Sequence, residues 1–154
     1  METKFNFKSQ ICTSREQSER LLALGLKKET ADCHYTRLSR KDDWTAFIGL
    51  PHGYHLIPND YLLPAWSLHR LWELFPKRIR SFQKDYFLTH FDFDGFEKVG
   101  YYTVRDGEDV YSDSTINSLI AACSVRERTD IYDALILLLT YDCVRNHFNK
   151  EYLV

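Results

Sequence analysis

The segment between Pro64 and Pro76 constrains the fold more than any other part of the chain, because it predicts a short helix with two defined ends. Ser67 is a favoured N-cap residue, and Pro76 cannot continue a helix. Four apolar side chains recur at the spacing of one helical face: Leu68, Leu71, Trp72 and Phe75. We therefore expect a helix over residues 67–75 that buries this face.

The two tryptophans of this segment are expected to differ in exposure. Trp66 and Trp72 are six residues apart, so they lie on different faces of a helix. Since Trp72 belongs to the apolar face, Trp66 is expected to be the exposed one. Leu71 is central to the apolar face, and its truncation to Ala is expected to cost about 2–5 kcal/mol of stability.

Two further helices are predicted. The first covers residues 15–24 and is followed by Gly25, which suits the left-handed residue after a helix. Two alternative capping boxes are possible at its N-terminus: Thr13 with Glu16, and Ser14 with Gln17. The second helix runs over residues 130–147, and its apolar stretch at 136–139 indicates a central, buried position.

The remaining elements are expected to be mostly strands. Residues 35–38 and 44–48 are rich in strand-forming side chains and predict a hairpin, followed by a Pro- and Gly-rich loop at 50–60. Residues 86–93, 98–105 and 109–111 predict an antiparallel meander, because Asp-Gly pairs stand at both junctions. A short helix is expected within 114–125. Together these elements predict one α+β domain over residues 1–154, with an antiparallel sheet packed by about three main helices.

Composition narrows the classes of partner. The chain has 154 residues, of which 15% are aromatic, and a formal net charge of −2. A single core of this size is not expected to absorb 23 aromatic side chains, counted as ten Tyr, ten Phe and three Trp, so part of them should form an exposed surface or a cleft. The absence of a basic excess argues against a generic nucleic-acid binder.

The cysteines and the hydropathy pattern indicate a cytoplasmic protein. Cys12, Cys33, Cys123 and Cys143 are scattered, without a close pair, and the N-terminus shows no secretory signal. We expect free, reduced thiols. The longest apolar run, at 134–139, is too short to span a bilayer, so no membrane partner is expected.

Several segments of the chain are similar to an uncharacterised family of small proteins from gut-bacterial (Bacteroidetes-type) phages and mobile elements. They are residues 11–13, 16–18, 21–22, 24–26, 30–32, 64–68 and 148–153. The resemblance covers most of the chain, although residues 118–128 depart from the family's pattern. It implies accessory cargo of a phage or mobile element in the host cytoplasm. The matching residues are caps, leucines and aromatics, so the resemblance implies no catalytic residue and no activity.

Four residues are candidates for contact with a ligand or partner: Trp66, His69, Tyr54 and His55. They are aromatic or imidazole side chains in the proline-bounded helix and in the loop before it. His52 and His55 form an H-x-x-H pair near Asp60, but no clear third ligand is encoded nearby, so solvated loop histidines are expected rather than a metal site.

The densest basic run supplies an alternative site. Lys77, Arg78, Arg80 and Lys84 surround Phe82, a combination that can bind phosphate and stack on a base. The favoured interpretation is a solvated loop at the C-terminal end of a helix, where cations are stabilised by the helix dipole.

A third cluster lies in the first strand of the meander. Alternation places His90, Asp92 and Asp94 on one face of this strand, and a half-buried strand is favoured there over an acid–base cluster.

No catalytic motif is present in the sequence: it lacks G-x-S-x-G, a P-loop, G-x-G-x-x-G and H-E-x-x-H. The leading hypothesis is a non-enzymatic binding module that contacts a protein partner or a small ligand through an aromatic-rich surface, without a cofactor or metal. The alternatives are a nucleic-acid-associated protein that uses the basic run, and an enzyme whose site is assembled from distant residues. A homodimer is compatible with each hypothesis.

Overall fold

The computed structural model of the chain describes residues 10–81, 83–93, 96–104, 116–118, 123–125 and 131–154. Within them the α+β class is confirmed. The helices are Arg15–Ala23 (α1), Leu68–Leu74 (α2), Ile131–Leu139 (α3) and Asp142–Arg145 (α4). The strands are Cys33–Thr36 (β1), Thr45–Ile48 (β2), Leu62–Ala65 (β3), Arg78–Ser81 (β4), Lys84–Phe93 (β5), Phe96–Val104 (β6), Ile116–Ser118 (β7) and Cys123–Val125 (β8). Short 3-10 turns cover Lys28–Thr30, Tyr54–Leu56 and Lys150–Tyr152.

The described strands form two antiparallel sheets. The first has the order β2-β1-β3 and contains the predicted β1–β2 hairpin. The second has the order β4-β5-β6-β7. β8 also pairs with β6, at residues 97–99, whereas β7 pairs with residues 102–104 of that strand. The β5–β6 hairpin confirms the first two strands of the predicted meander. The third, at 109–111, and the Asp-Gly turns lie outside the described residues.

The predicted helix ends are confirmed for α1 and α2. Ser14 and Gln17 form the capping box of α1, and Gly25 follows that helix with a φ of +90°. The Ser67 hydroxyl accepts a hydrogen bond from the backbone N–H of Arg70 at the start of α2. These contacts are local in the chain, which is why sequence spacing identifies them.

Two strands differ from the sequence-based expectation. β3 occupies Leu62–Ala65 and includes Pro64, which therefore lies in a strand instead of marking the start of a helix. β4 occupies Arg78–Ser81, so the interpretation of this basic segment as a solvated loop is wrong. Pairing with distant partners creates both strands: β3 lies against β1, and β4 lies against β5.

The expected short helix in 114–125 is wrong for the residues that the structure describes there. Ile116–Ser118 and Cys123–Val125 are strands that pair with opposite ends of β6. These segments are three residues long, so a sequence window contains too little periodicity to distinguish strand from helix.

The single long helix expected over 130–147 is interrupted. α3 ends at Leu139, where the Thr140 hydroxyl donates to the carbonyl oxygen of Leu137 at 2.6 Å. Tyr141 is extended, with φ −83° and ψ 128°, before α4 begins. Side-chain bonding of this kind competes with the helical ladder, so the helix ends at Thr140. Its predicted buried position is confirmed, since Leu135 and Leu138 are fully buried.

One hydrophobic core contains side chains from the helices and the second sheet. Its fully buried members include Leu21, Trp66, Phe75, Tyr101, Leu135 and Leu138. α2 and α3 both contribute to this core together with β4, β5 and β6, as their apolar stripes predict. A smaller cluster of Cys12, Cys33 and Ala65, with Tyr35 against it, lies beside the first sheet.

Trp66 is at the centre of the structure, which overturns its expected exposure. Its side chain is fully buried, and its indole Nε1 donates to the Thr30 hydroxyl at 2.9 Å. Its backbone N–H donates to the Thr13 hydroxyl, and its carbonyl accepts from the Thr13 N–H. The Thr13 hydroxyl also contacts that of Ser18 at 2.7 Å. Trp66 therefore joins β3 to α1 and to the 3-10 turn before β1.

Asp32 links the same region to α2. Its carboxylate accepts from the Ser67 N–H at 2.8 Å and from the Ser67 hydroxyl at 2.5 Å. A carboxylate at a helix N-terminus is stabilised by the helix dipole. Thr13, Thr30 and Asp32 thus supply polar contacts that join these elements through Trp66 and Ser67.

Candidate functional site

An open cleft lies between α2, the middle of β5 and the first residue of α3. We call it the α2 cleft, and its volume is about 460 Å³. It is lined by Leu68, His69, Trp72, His90 and Ile131. A cleft of this volume is within the range of small-molecule sites, about 300–1,000 Å³.

Backbone periodicity brings these side chains to one place. Leu68 and Trp72 are four residues apart on α2 and share a face. His90 follows the buried Tyr86 by four residues on β5, so strand alternation turns both toward the helices. Ile131 begins α3 and packs against the core, closing the third side.

Glu73 contacts two side chains of α2 at the polar side of the cleft. The His69 Nε2 lies 3.0 Å from one carboxylate oxygen of Glu73, and Arg70 lies 3.3 Å from the other. The His69 side chain remains 85% exposed, so its imidazole is accessible to a ligand. Glu73 therefore lies beside an exposed imidazole at the rim.

A cation positions the aromatic wall. The Lys77 ammonium lies 5.4 Å from the centroid of the Trp72 ring and donates to the Trp72 carbonyl oxygen. Partial burial lowers the pKa of Lys77 below its ordinary value. Lys77 thus satisfies a carbonyl at the C-terminal end of α2 and restrains the indole. This part of the expectation for the basic run, a cation at a helix end, agrees with the structure.

The arrangement combines an apolar surface with polar groups at its edge. One indole and two aliphatic side chains offer an apolar surface, and two imidazoles supply donors or acceptors at its edge. A flat, mostly apolar molecule that carries a hydrogen-bonding or anionic group complements this surface. His69 is the one candidate ligand contact from the sequence that lines the cleft.

The other three candidates lie elsewhere. Trp66 is inside the core and cannot contact a ligand without unfolding, so its assignment to an exposed site is wrong. Tyr54 and His55 lie in the 3-10 turn after β2, with their rings edge to face at 5.8 Å, and they do not line the α2 cleft. Burial and the nearby Glu29 raise the pKa of Tyr54.

The basic run lies on the edge of the second sheet. Arg78 and Arg80 point from the same exposed face of β4, because Ile79 between them is buried. Arg78 is opposite Phe87 of β5, which is 50% exposed, and lies 3.8 Å from Asp85. Lys84 begins β5 and is exposed as well. The segment therefore presents cations beside an exposed aromatic ring.

Cys12, Cys33 and Cys143 are free, and the surroundings of the first two disfavour reactivity. Cys12 and Cys33 are buried together, and desolvation raises the pKa of Cys12 and raises that of Cys33 to about 11. Tyr35, whose hydroxyl donates to the Thr13 carbonyl oxygen, has its pKa raised by burial to about 12. A thiol with a raised pKa is a poor nucleophile at neutral pH.

His34 is directed away from these thiols. Its ring stacks on Phe47 at 5.5 Å, and its Nδ1 lies 2.5 Å from the Gly49 carbonyl oxygen. This agrees with the expectation that strand neighbours such as Cys33 and His34 point to opposite faces.

Among the described residues, no group of three or more His, Cys, Asp or Glu side chains is placed to hold a metal ion. Asp60, the nearest acidic residue to the H-x-x-H pair in the sequence, is paired with Arg40 at 2.5 Å. None of the helices in the described ranges combines the length and apolar character that a membrane crossing requires.

The chain was compared with protein-family models, with curated proteins and with solved structures, and none of them matches it. Its class is therefore defined by the fold and the α2 cleft alone: an α+β protein with an open apolar cleft bordered by two histidines.

Sequence patterns missed most of this cleft. Trp72 was assigned to the buried stripe of its helix, although it is only half-buried. The sequence predicts a strand that contains His90, and β5 confirms it. No pattern relates this residue to α2, which ends sixteen residues earlier at Leu74. Only the contact of α2 and α3 with the second sheet brings Leu68, His90 and Ile131 together.

Proposed function

We propose that the protein is a non-enzymatic binding module that takes a small, flat, partly apolar ligand in the α2 cleft. The observation that carries the proposal is the convergence of one indole, two aliphatic side chains and two imidazoles around a cavity of about 460 Å³. Apolar walls with a few converging polar groups are typical of small-molecule sites.

The chemistry of the walls defines the ligand class. Trp72 favours an aromatic or heteroaromatic ring, because offset or edge-to-face contacts between rings stabilise a complex beyond the area they bury. His69 and His90 at the edge favour an anionic or hydrogen-bond-accepting substituent. Aromatic carboxylates have both features. We also propose that the protein acts in a host cytoplasm, as the resemblance of its sequence segments to proteins of phages and mobile elements implies.

Binding of indole-3-carboxylate, measured by calorimetric titration, is expected to be stronger than binding of indole or of cyclohexanecarboxylate. Trp72→Ala should weaken it by about 0.5–1.5 kcal/mol, which corresponds to about two- to tenfold in Kd. His69→Ala should weaken indole-3-carboxylate and leave indole unchanged, because only the first ligand has a carboxylate for the imidazole.

A matched control is available for the histidine. His55→Ala removes another exposed imidazole that lies outside the cleft, so it should leave the affinity unchanged. Equal losses for His55→Ala and His69→Ala would contradict the proposed position of the ligand. Failure of all three probes to bind would contradict the proposed ligand class.

A second candidate function is the binding of single-stranded nucleic acid on the outer face of the second sheet. It is favoured by one observation: Arg78 and Arg80 share an exposed strand face, and Phe87 lies directly opposite Arg78. Bases stack on exposed aromatic rings, and arginines contact phosphates. Against it, Asp85 pairs with Arg78, and the net charge of the chain is −2.

We expect no salt-sensitive binding of a single-stranded oligonucleotide at physiological ionic strength, because Lys77 and Arg78 already have partners within the fold. Fluorescence anisotropy at several salt concentrations measures this. Salt-dependent binding that is lost when Lys77, Arg78, Arg80 and Lys84 are all changed to Gln would favour the second function. In that case Phe87→Ala should weaken binding and Phe47→Ala, a ring of similar exposure on the first sheet, should not.

A further inference from the structure

β2 is an edge strand whose outer side is open. In the described part of the chain it pairs with β1 on one side and with no strand on the other. All four of its residues, Thr45–Ile48, are exposed. An exposed edge of apolar, strand-forming residues is a template for pairing with another chain, and this strand carries none of the lysines or prolines that usually protect an edge.

Exposed apolar side chains are concentrated around this strand. Ile48 is 82% exposed and Phe47 is 48% exposed. Leu38, in the loop before β2, and Leu56, in the turn after it, are exposed as well. These four belong to one stretch of the chain, residues 38–56, and two of them, Phe47 and Ile48, lie on the edge strand itself.

The register of the first sheet shows which main-chain groups face the open side. Cys33 is opposite Ile48, and one step further the Gly49 N–H donates to the Asp32 carbonyl oxygen at 2.6 Å. Hydrogen-bonded and non-hydrogen-bonded positions alternate along an antiparallel pair. Phe47 and Thr45 therefore direct their main-chain groups toward β1, and Ala46 and Ile48 direct theirs toward the open edge.

We propose that two copies of this chain pair antiparallel through β2, about a two-fold axis that passes beside Phe47. In this register Phe47 is opposite Phe47 of the second copy, and Ala46 of each copy is opposite Ile48 of the other. Ala46 and Ile48 are each one residue away from Phe47 at the axis. The outward main-chain groups of both residues therefore have hydrogen-bond partners in the second copy. The first sheets of the two copies then form one continuous sheet.

The side chains are compatible with this pairing. The large, exposed Ile48 lies beside the small Ala46 of the second copy, and the two Phe47 rings meet at the axis in a non-hydrogen-bonded pair, where side chains approach most closely. His34 stacks on Phe47 and supports each ring from its own copy.

Charge is compatible as well. Asp42 and Asp43 precede β2, and residues 49–55 after it contain no acidic residue, so antiparallel pairing does not bring the acidic segments of the two copies together. A contact built on one short strand is smaller than the surface of about 800 Å² per partner in stable complexes. The dimer is therefore expected to depend on concentration.

Sedimentation equilibrium of the full chain between about 1 μM and about 1 mM tests the proposal. The wild type should change from monomer to dimer within this range. Ala46→Pro removes an outward N–H and keeps the ladder with β1, since proline is tolerated at such edge positions. It should raise the dimer Kd about tenfold or more, because each lost hydrogen bond occurs twice by symmetry.

Ile48→Lys is the second variant, in case proline disturbs the strand, and it should also be monomeric over the range in which the wild type dimerises. Leu137→Lys, at a partly exposed position on α3, is the control and should dimerise like the wild type. A wild type that stays monomeric at every concentration would overturn the proposal. A dimer that both β2 variants leave unchanged would overturn it too.

A cysteine placed at the axis tests the register. Under oxidised glutathione, which accepts the two electrons and two protons from the pair of thiols, Phe47→Cys should give a disulfide-linked dimer. Thr45→Cys should not, because Thr45 lies opposite Gly49 of the second copy in this register. The wild type under the same conditions measures the background from native thiols. Cross-linking of Thr45→Cys without Phe47→Cys would contradict the proposed axis.

Discussion

Trp66→Ala is expected to lower the free energy of unfolding by about 3–5 kcal/mol. The side chain is fully buried, and its indole donates to the Thr30 hydroxyl at 2.9 Å. Truncation removes the largest side chain among the fully buried residues and leaves that hydroxyl without its donor. Domains of this size are stable by about 5–15 kcal/mol, so the variant should approach the limit of folding. Urea denaturation followed by circular dichroism measures the loss.

Trp44→Ala is the matched control. Its ring is only half-buried, and the guanidinium groups of Arg37 and Arg15 lie 4.5 Å and 5.9 Å from its centroid. Losing these contacts should cost about 1 kcal/mol or less. Trp66→Phe should lie between Trp66→Ala and the wild type, because it fills part of the cavity but cannot donate to Thr30. Equal costs for Trp66→Ala and Trp44→Ala would contradict the central position of Trp66.

Leu71→Ala is expected to cost about 2–5 kcal/mol. Leu71 is fully buried in the main core, on the side of α2 that faces the second sheet and α3. Removing three carbon atoms there leaves a cavity that the surrounding strands and helices cannot fill completely. The loss should appear as a lower urea midpoint with an unchanged slope, because the surface exposed on unfolding stays nearly the same.

A leucine on another helix provides the comparison. Leu137 of α3 is 41% exposed, so Leu137→Ala should cost about 1 kcal/mol or less. Leu71→Met, which keeps the volume, should cost less than about 1.5 kcal/mol. If Leu71→Met destabilised as much as Leu71→Ala, shape rather than volume would control this position.

The candidate site could be predicted only in part. His69 was identified from its place in an aromatic helix, and the structure puts it at the rim of the α2 cleft. Helical periodicity predicts an exposed Trp66, but this residue follows directly after β3 and is outside α2, so the periodicity does not apply to it. His90 and Ile131 belong to elements far apart in the chain, and no local pattern relates them to Trp72.

Features that depend on neighbours within about four residues could be predicted from local spacing. The capping box of Ser14 and Gln17, the Ser67 N-cap, the left-handed Gly25 and the buried face of Leu71 are of this kind. Each depends on backbone geometry that repeats over one turn, so spacing alone predicts it.

The positions of the segments relative to one another depend on contacts that no local pattern contains. β3 and β4 exist because distant strands supply their hydrogen-bond partners, and Trp66 is buried because Thr13 and Thr30 satisfy its polar groups from other elements. A strand of four residues has little preference of its own, and an indole can lie inside only where an acceptor is present. Both conditions are created by contacts between residues that are far apart along the chain.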